Sequence, residues 1–177
     1  MKNMFQKFMA RRTTPRLFLS VITQDDLDDV FQSMNNAETA AMVSFLSWPV
    51  TMNQAQAWVN KAIAGWESGE EFIYIARRKD NGAVAGCAGA HRHEQSAEIG
   101  YWVAPTERGQ DFAAEMAQAA ADVARTVFRP EKIFATCTPE NSGSVRVLEK
   151  SGFICKGEKP VALPGGGVRR SLLFERT

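Results

Sequence analysis

Histidine, tyrosine and cysteine are scarce in this chain of 177 residues, at two, two and three copies. The shortage narrows the chemistry. The cysteines, Cys87, Cys137 and Cys155, are odd in number and far apart; no CxxC pair is present, and the histidines stand at 91 and 93. This pattern argues against a disulfide framework and a structural zinc site, so reduced thiols and no metal are expected. No stretch approaches the ~20 apolar residues that span a bilayer. An excess of one charge is missing too: 21 Lys and Arg against 20 Asp and Glu leave a net charge of +1. Neither nucleic acid nor a membrane is expected as a partner, although a local basic groove would be hidden in that sum. Internal repeats and low-complexity linkers are also absent.

What remains is an ordinary globular composition, 45% apolar and 23% charged, long enough for one domain with a substantial core. Residues 1–15 are basic, with Met4, Phe5, Phe8 and Met9 interleaved. They lack a continuous apolar run and a small-residue cleavage site, which makes a poor secretory signal. They read as a flexible leader, with a short amphipathic docking helix as the alternative, ahead of a domain over 16–177. A cytoplasmic location is expected.

Periodicity supplies the elements. A strand is expected over Arg16 to Val21. A helix follows from Thr23, which has capping-box spacing to Asp26 and carries Leu27, Val30, Phe31 and Met34 on one face. A second helix runs from Gln54 to Glu67, after an apolar link at Phe45 to Pro49. Strands are expected over 72–77, 83–91 and 97–103, the first pair joined by the hairpin signal Asn81-Gly82. The longest helix, 109–128, repeats Phe112, Met116, Ala120, Val123 and Val127. A strand over 132–137, a short helix over 141–151 capped by Asn141 and ended by Gly152, and strands over 153–159 and 168–174 complete the chain. The order implies an α+β fold: a mixed, mostly antiparallel sheet flanked by helices, with one parallel crossover between 97–103 and 132–137.

Two segments carry chemistry. Between the strand at 97–103 and the long helix the chain reads Pro105-Thr-Glu-Arg108-Gly109-Gln110-Asp111-Phe112-Ala113. A helix start offers unpaired N–H groups and the positive end of a dipole, so an anion can rest there, with Arg108 as a charged donor. An ordinary strand-to-helix turn would read the same way. The second segment, Asn141-Ser-Gly-Ser144 running to Leu148 and Gly152-Phe153, caps a helix and sets a hydroxyl one turn inside it.

Together with Glu98-Ile-Gly-Tyr-Trp-Val-Ala-Pro105 and Trp48-Pro49, these segments resemble the GNAT acetyltransferases, in particular the branch of ribosomal-protein N-terminal acetyltransferases. The likeness runs from about residue 15 to 175. It implies a sheet that splays between the strands at 97–103 and 132–137. It also implies acetyl-CoA as cosubstrate, with its pantetheine arm paired to backbone near Trp102 and Val103 and its diphosphate on N–H groups of 108–113. Asn141 and Ser144 would touch the arm. The acetyl group would pass directly to a primary amine. A protein or peptide N-terminus is the leading acceptor, a small amine of aminoglycoside or polyamine type the alternative, and a non-catalytic CoA-binding module of the same fold the third reading. A monomer or a homodimer fits equally.

The chain departs from the family pattern twice. The signature Arg/Gln-x-x-Gly-x-Gly/Ala starts at Arg108 and ends at Ala113, but its central glycine is Asp111, whose carboxylate would repel a diphosphate. The tyrosine that many relatives carry in the helix after the Asn is missing. Ser144 is the substitute donor for the leaving sulfur. Glu98 is the candidate base, with His91 and His93 as rivals, and Trp48 and His91 are expected on the acceptor side.

Overall fold

The computed structural model describes residues 9–163 and 166–177. Among these residues, eight strands form one sheet: β1 (Arg11–Thr13), β2 (Leu17–Val21), β3 (Glu71–Arg78), β4 (Val84–His93), β5 (Ser96–Val103), β6 (Lys132–Cys137), β7 (Ile154–Ala162) and β8 (Val168–Arg176). They lie in the order β1-β2-β3-β4-β5-β6-β8-β7, and only β5 and β6 are parallel. Among the described residues, five α-helices cover the sheet: α1 (Leu27–Met34), α2 (Ala37–Met42), α3 (Met52–Ser68), α4 (Phe112–Phe128) and α5 (Ser142–Lys150).

Side-chain alternation along the strands divides the core in two. On one face Leu17, Leu19, Tyr74, Ala88, Ala90 and Ile99 pack against Phe112, Met116, Ala120 and Val123 of α4 and Leu148 of α5. On the other, Ile73, Ile75, Cys87 and Trp102 pack against Val30 and Met34 of α1, Ala40 of α2, and Ala55 and Val59 of α3. Close packing explains the small residues of β4. A Cβ added to Gly86, at φ +147°, would sit 2.0 Å from the carbonyl oxygen of Trp102.

The local signals act as the residues dictate. Thr23 N–H donates to Asp26 Oδ2 at 2.8 Å, closing the capping box ahead of a short 3-10 turn and α1. Thr51 and Gln54 form a second box at the start of α3, which ends at Gly69 in the left-handed region. Two elements were not expected. Helix α2 is too short to show a period, and its signal was the cap: Asn36 Oδ1 accepts from the N–H groups of Glu38 and Thr39, each at 3.1 Å. Strand β1, with the sequence Arg-Arg-Thr, has no apolar alternation and exists by pairing with β2. Residues ahead of position 16 also contact the sheet: Met9 is buried, and its carbonyl accepts from the Tyr74 hydroxyl at 2.8 Å. Residues 1–8 of the expected leader lie outside the described residues. The thiols are free, Cys87 and Cys137 buried and Cys155 exposed.

Candidate active site

The parallel pair is the structural event that makes a site. β5 and β6 share only three register pairs, Ser96–Lys132, Ala97–Ile133 and Glu98–Phe134. β5 continues to Val103 beside β4, and β6 to Cys137 beside β8, without meeting again. The sheet therefore opens beyond Glu98, and the β5 backbone after that point has no strand partner on its β6 side.

Two cavities flank the opening, of about 470 and 460 Å3. The first is lined by Trp102 and Val103, by residues 108–113, and by Asn141 and Ser144. All ten residues expected to hold the coenzyme thus share one cavity. The second is lined by Glu98, His91 and Ser144, with Glu71, Trp58 and Arg169 among others. Ser144, Tyr101, Trp102 and Thr136 border both, so the two spaces meet at the gap. Trp48 lines neither and is 55% exposed.

The turn leading into α4 is anchored from below. Glu107, buried, accepts from Arg78 Nη1 at 2.9 Å and from Gln110 Nε2 at 3.0 Å. Phe112 is buried under the guanidinium groups of Arg16 and Arg78, 4.6 and 5.5 Å from the ring centroid. Gly109 and Asp111 both have positive φ, +76° and +61°. Asp111 is the N-cap residue of α4, yet its exposed side chain accepts no capping hydrogen bond, so it leaves the first N–H groups of the helix to other partners. Arg108 is less free than the sequence implies. Its guanidinium donates to Thr39 Oγ1 at 2.7 Å and pairs with Glu38, tying this turn to α2.

At the gap the structure brings together two hydroxyls. Asn141 Oδ1 accepts from Ser144 N–H at 3.0 Å, which fixes the first turn of α5. Ser144 Oγ then lies 2.9 Å from Tyr101 Oη. Tyr101 is the residue sequence reasoning missed. The resemblance points to a tyrosine inside the short helix, whereas this one reaches Ser144 of that helix from the facing strand. The signal was present in the alternation of β5: Tyr101 shares a face with Ile99 and Val103, opposite to Glu98, Gly100 and Trp102. Burial raises the Tyr101 phenol above its ordinary range, with Ser144 pulling the other way, so it stays protonated at neutral pH. Burial likewise pushes up the Cys137 thiol, which Ser144 also contacts.

On the second cavity several charged groups are paired. Glu98 Oε2 lies 3.2 Å from His93 Nε2, and the His93 ring is tilted against Phe134 with centroids 5.2 Å apart. His91 Nδ1 lies 3.4 Å from Glu71 Oε1, which Lys61 Nζ also approaches at 3.2 Å. Phe45, Trp58 and Trp102 form an aromatic wall, with Trp58 and Trp102 edge to face at 5.0 Å. Arg169 lines the same space, with Nη1 on the Ala41 carbonyl at 3.2 Å. Among the described residues no cluster of His, Cys, Asp and Glu side chains is arranged to hold a metal ion, and no helix is long and apolar enough to cross a membrane.

Comparison with known proteins agrees with this geometry. The chain is 28% identical over 156 residues to the uncharacterized N-acetyltransferase YnaD of Bacillus subtilis, covering 87% of this chain and 88% of that one. It is 27% identical over 148 residues to the prophage-derived uncharacterized N-acetyltransferase YokL of the same organism, covering 82% and 80%. In fold it is similar to RimL, a ribosomal L7/L12 alpha-N-protein acetyltransferase solved with coenzyme A, with a TM-score of 0.79 at 17% identity over 93% of this chain and 96% of that one. It is also similar to the ribosomal-protein-S5-alanine acetyltransferase of Vibrio fischeri, with a TM-score of 0.77 at 15% identity over 94% and 95%. The model of the acetyltransferase (GNAT) domain matches residues 16–154, and the chain belongs to that family of N-acetyltransferases.

Proposed function

We propose that this enzyme moves the acetyl group of acetyl-CoA directly to a primary amine, and that the amine is the N-terminus of a protein or peptide. The observation that carries the reading is the opening of the sheet beyond Glu98, with the Tyr101–Ser144 hydroxyl pair at its centre and a cavity on either side. The unpaired β5 backbone can take the pantetheine arm as an added strand. The N-terminus of α4 and the turn at 108–113 suit a diphosphate by their free N–H groups and dipole.

Each residue then has a task. The amine attacks the thioester carbonyl, the C–N bond forms, and the C–S bond breaks with the electron pair going to sulfur. Tyr101 and Ser144 supply a hydroxyl donor to the departing thiolate; the phenol keeps its proton at neutral pH and so has one to give. Attack requires a neutral amine, and Glu98 and His91 border the acceptor cavity as routes for its proton. Trp58, Trp102 and Phe45 wall the same cavity and hold water away from the amine.

The charge balance of that cavity favours a peptide N-terminus over a polyamine. A polycation needs carboxylates in excess, yet Glu70 faces Arg92 at 3.6 Å, Glu71 faces Lys61 and His91, and Glu98 faces His93. Asp26 of the 3-10 turn and Asp29 of α1 are paired with Arg77 at 2.8 and 2.6 Å. The test is thiol release from acetyl-CoA with peptides beginning in Ser, Ala or Met beside aminoglycosides and polyamines. Release with the peptides alone is expected. Release with small amines alone would overturn the acceptor class, and stabilisation by acetyl-CoA without release from any amine would overturn transfer itself.

A further inference from the structure

One carboxylate at the acceptor cavity has no part in the chemistry above. Glu71 opens β3, and the register sets it in a cross-strand row with His91, Glu98 and Phe134 on the face that carries Trp102. Its side chain is only 16% exposed. Helix α3 presses on it closely: a Cβ added to Gly65 would lie 2.6 Å from the Cβ of Glu71. Oε2 is buried and makes no hydrogen bond among the described residues, so the carboxylate acts through Oε1, which faces Lys61 and His91. Burying an acid in this way is costly without partners. The hydrogen bond from His91 above all, against the opposing effect of burial and with help from Lys61, holds the carboxyl below its ordinary range. Glu71 is therefore ionised at neutral pH and can only accept a hydrogen bond from the ring.

This fixes the imidazole. When one ring nitrogen donates, the other of a neutral histidine keeps its lone pair. Nδ1 faces Glu71, so Nε2 is the acceptor. Nε2 points toward β5, where a Cβ added to Gly100 would lie 4.0 Å away. Gly100 is two residues past the last β5–β6 pair, where the sheet has opened, and both residues line the acceptor cavity. His93 is differently placed, because its Nε2 is already engaged by Glu98.

We infer that Glu71 is a positioning residue: it holds the Nδ1 proton of His91 and thereby presents Nε2 as the base that deprotonates the acceptor's ammonium group. The N–H bond of the ammonium breaks, its electron pair stays on nitrogen, and the proton forms a bond to Nε2. Glu71 then faces an imidazolium, whose proton passes to water. The inference rests on the acetyltransferase reading of the site, deepens it, and assigns Glu98 to holding His93 rather than to the proton transfer itself.

The experiment uses the full chain labelled with 15N-histidine. Two histidines give two imidazole patterns, and His93→Gln assigns them. Neutral His91 is expected as the Nδ1–H tautomer, and Glu71→Ala is expected to let it revert toward the Nε2–H form that free imidazoles prefer. Glu71→Gln, which preserves volume and one acceptor oxygen, is expected to fall between the two. In thiol release, Glu71→Ala should lower kcat by about tenfold to a hundredfold and His91→Gln by about a hundredfold. The two together should be no worse than His91→Gln alone, with acetyl-CoA binding unchanged in every variant. A wild-type His91 in the Nε2–H form, or one unaffected in both Glu71 variants, would overturn the inference whether or not any amine is turned over. Losses that multiply in the double variant would overturn it too.

Discussion

Asp111 stands where the family signature has glycine, and replacing it separates two physical effects. Its backbone sits at φ +61°, ψ 14°, in the left-handed region. An L-residue held there costs roughly 1 kcal/mol, less for Asp than for most. Asp111→Gly relieves that cost, but it adds freedom to the unfolded chain and removes an acid from a helix N-terminus, where it contributes about 0.3–1 kcal/mol. These offset one another, and Tm should move by no more than about 3 °C. Binding should change more. A diphosphate on the first N–H groups of α4 would lie on the order of 7 Å from the exposed carboxylate, where two phosphate charges at a water-like dielectric give about 1 kcal/mol of repulsion. Removing it should tighten acetyl-CoA by about fivefold at low salt. The gain should vanish near 1 M salt, where the Debye length is about 3 Å. Isothermal titration calorimetry of wild type, Asp111→Gly and Asp111→Asn reads this directly. Asparagine tolerates the same backbone and lacks the charge, so it should match glycine. Unchanged or weaker binding in Asp111→Gly refutes the reasoning, and tightening by Gly without tightening by Asn would replace repulsion with crowding by the Cβ.

Tyr101→Phe should lower kcat by about a hundredfold with acetyl-CoA affinity nearly unchanged, and Ser144→Ala should cost less, since the phenol remains; full turnover in Tyr101→Phe removes the phenol from the chemistry. Asn141→Ala breaks the cap to Ser144 and should destabilise the fold by about 1 kcal/mol in urea titration. It should also lower kcat, because Ser144 loses its anchor. Glu71 titrates lower in the folded chain than in the unfolded one, so its contribution to stability is complete above the ordinary carboxylate range and is lost as pH falls through the folded value. Urea midpoints measured between about pH 5 and pH 3 should therefore fall less steeply for Glu71→Gln than for wild type.

The strands from β2 to β8 were legible because each carries a local signal. The strand over 132–137 and the caps at Thr23 and Asn141 appear as their residues dictate. Helix α2 and strand β1 were not legible, because six residues hold less than two turns and three residues hold no alternation. The cofactor-side residues gather in one cavity because they are close in sequence to two helix starts. Sequence periodicity says which face Tyr101 and Glu71 take, but not what meets them there. The partners of Tyr101 and Glu71 arrive from α5 and from β4 and α3, and that meeting is a property of the register, set by the whole sheet.

The early parting of β5 and β6 has a consequence for the resting enzyme. It leaves a raw strand edge in the interior of the sheet, over residues 99–103, without the lysines, prolines or bulges that guard outer edges against pairing with another chain. Its protection is recess, since α1–α3 stand on one side of it and α4 and α5 on the other. Amide hydrogens along that edge should exchange with solvent faster than those locked between β3 and β4, and become shielded once a strand-like ligand lies in the slot.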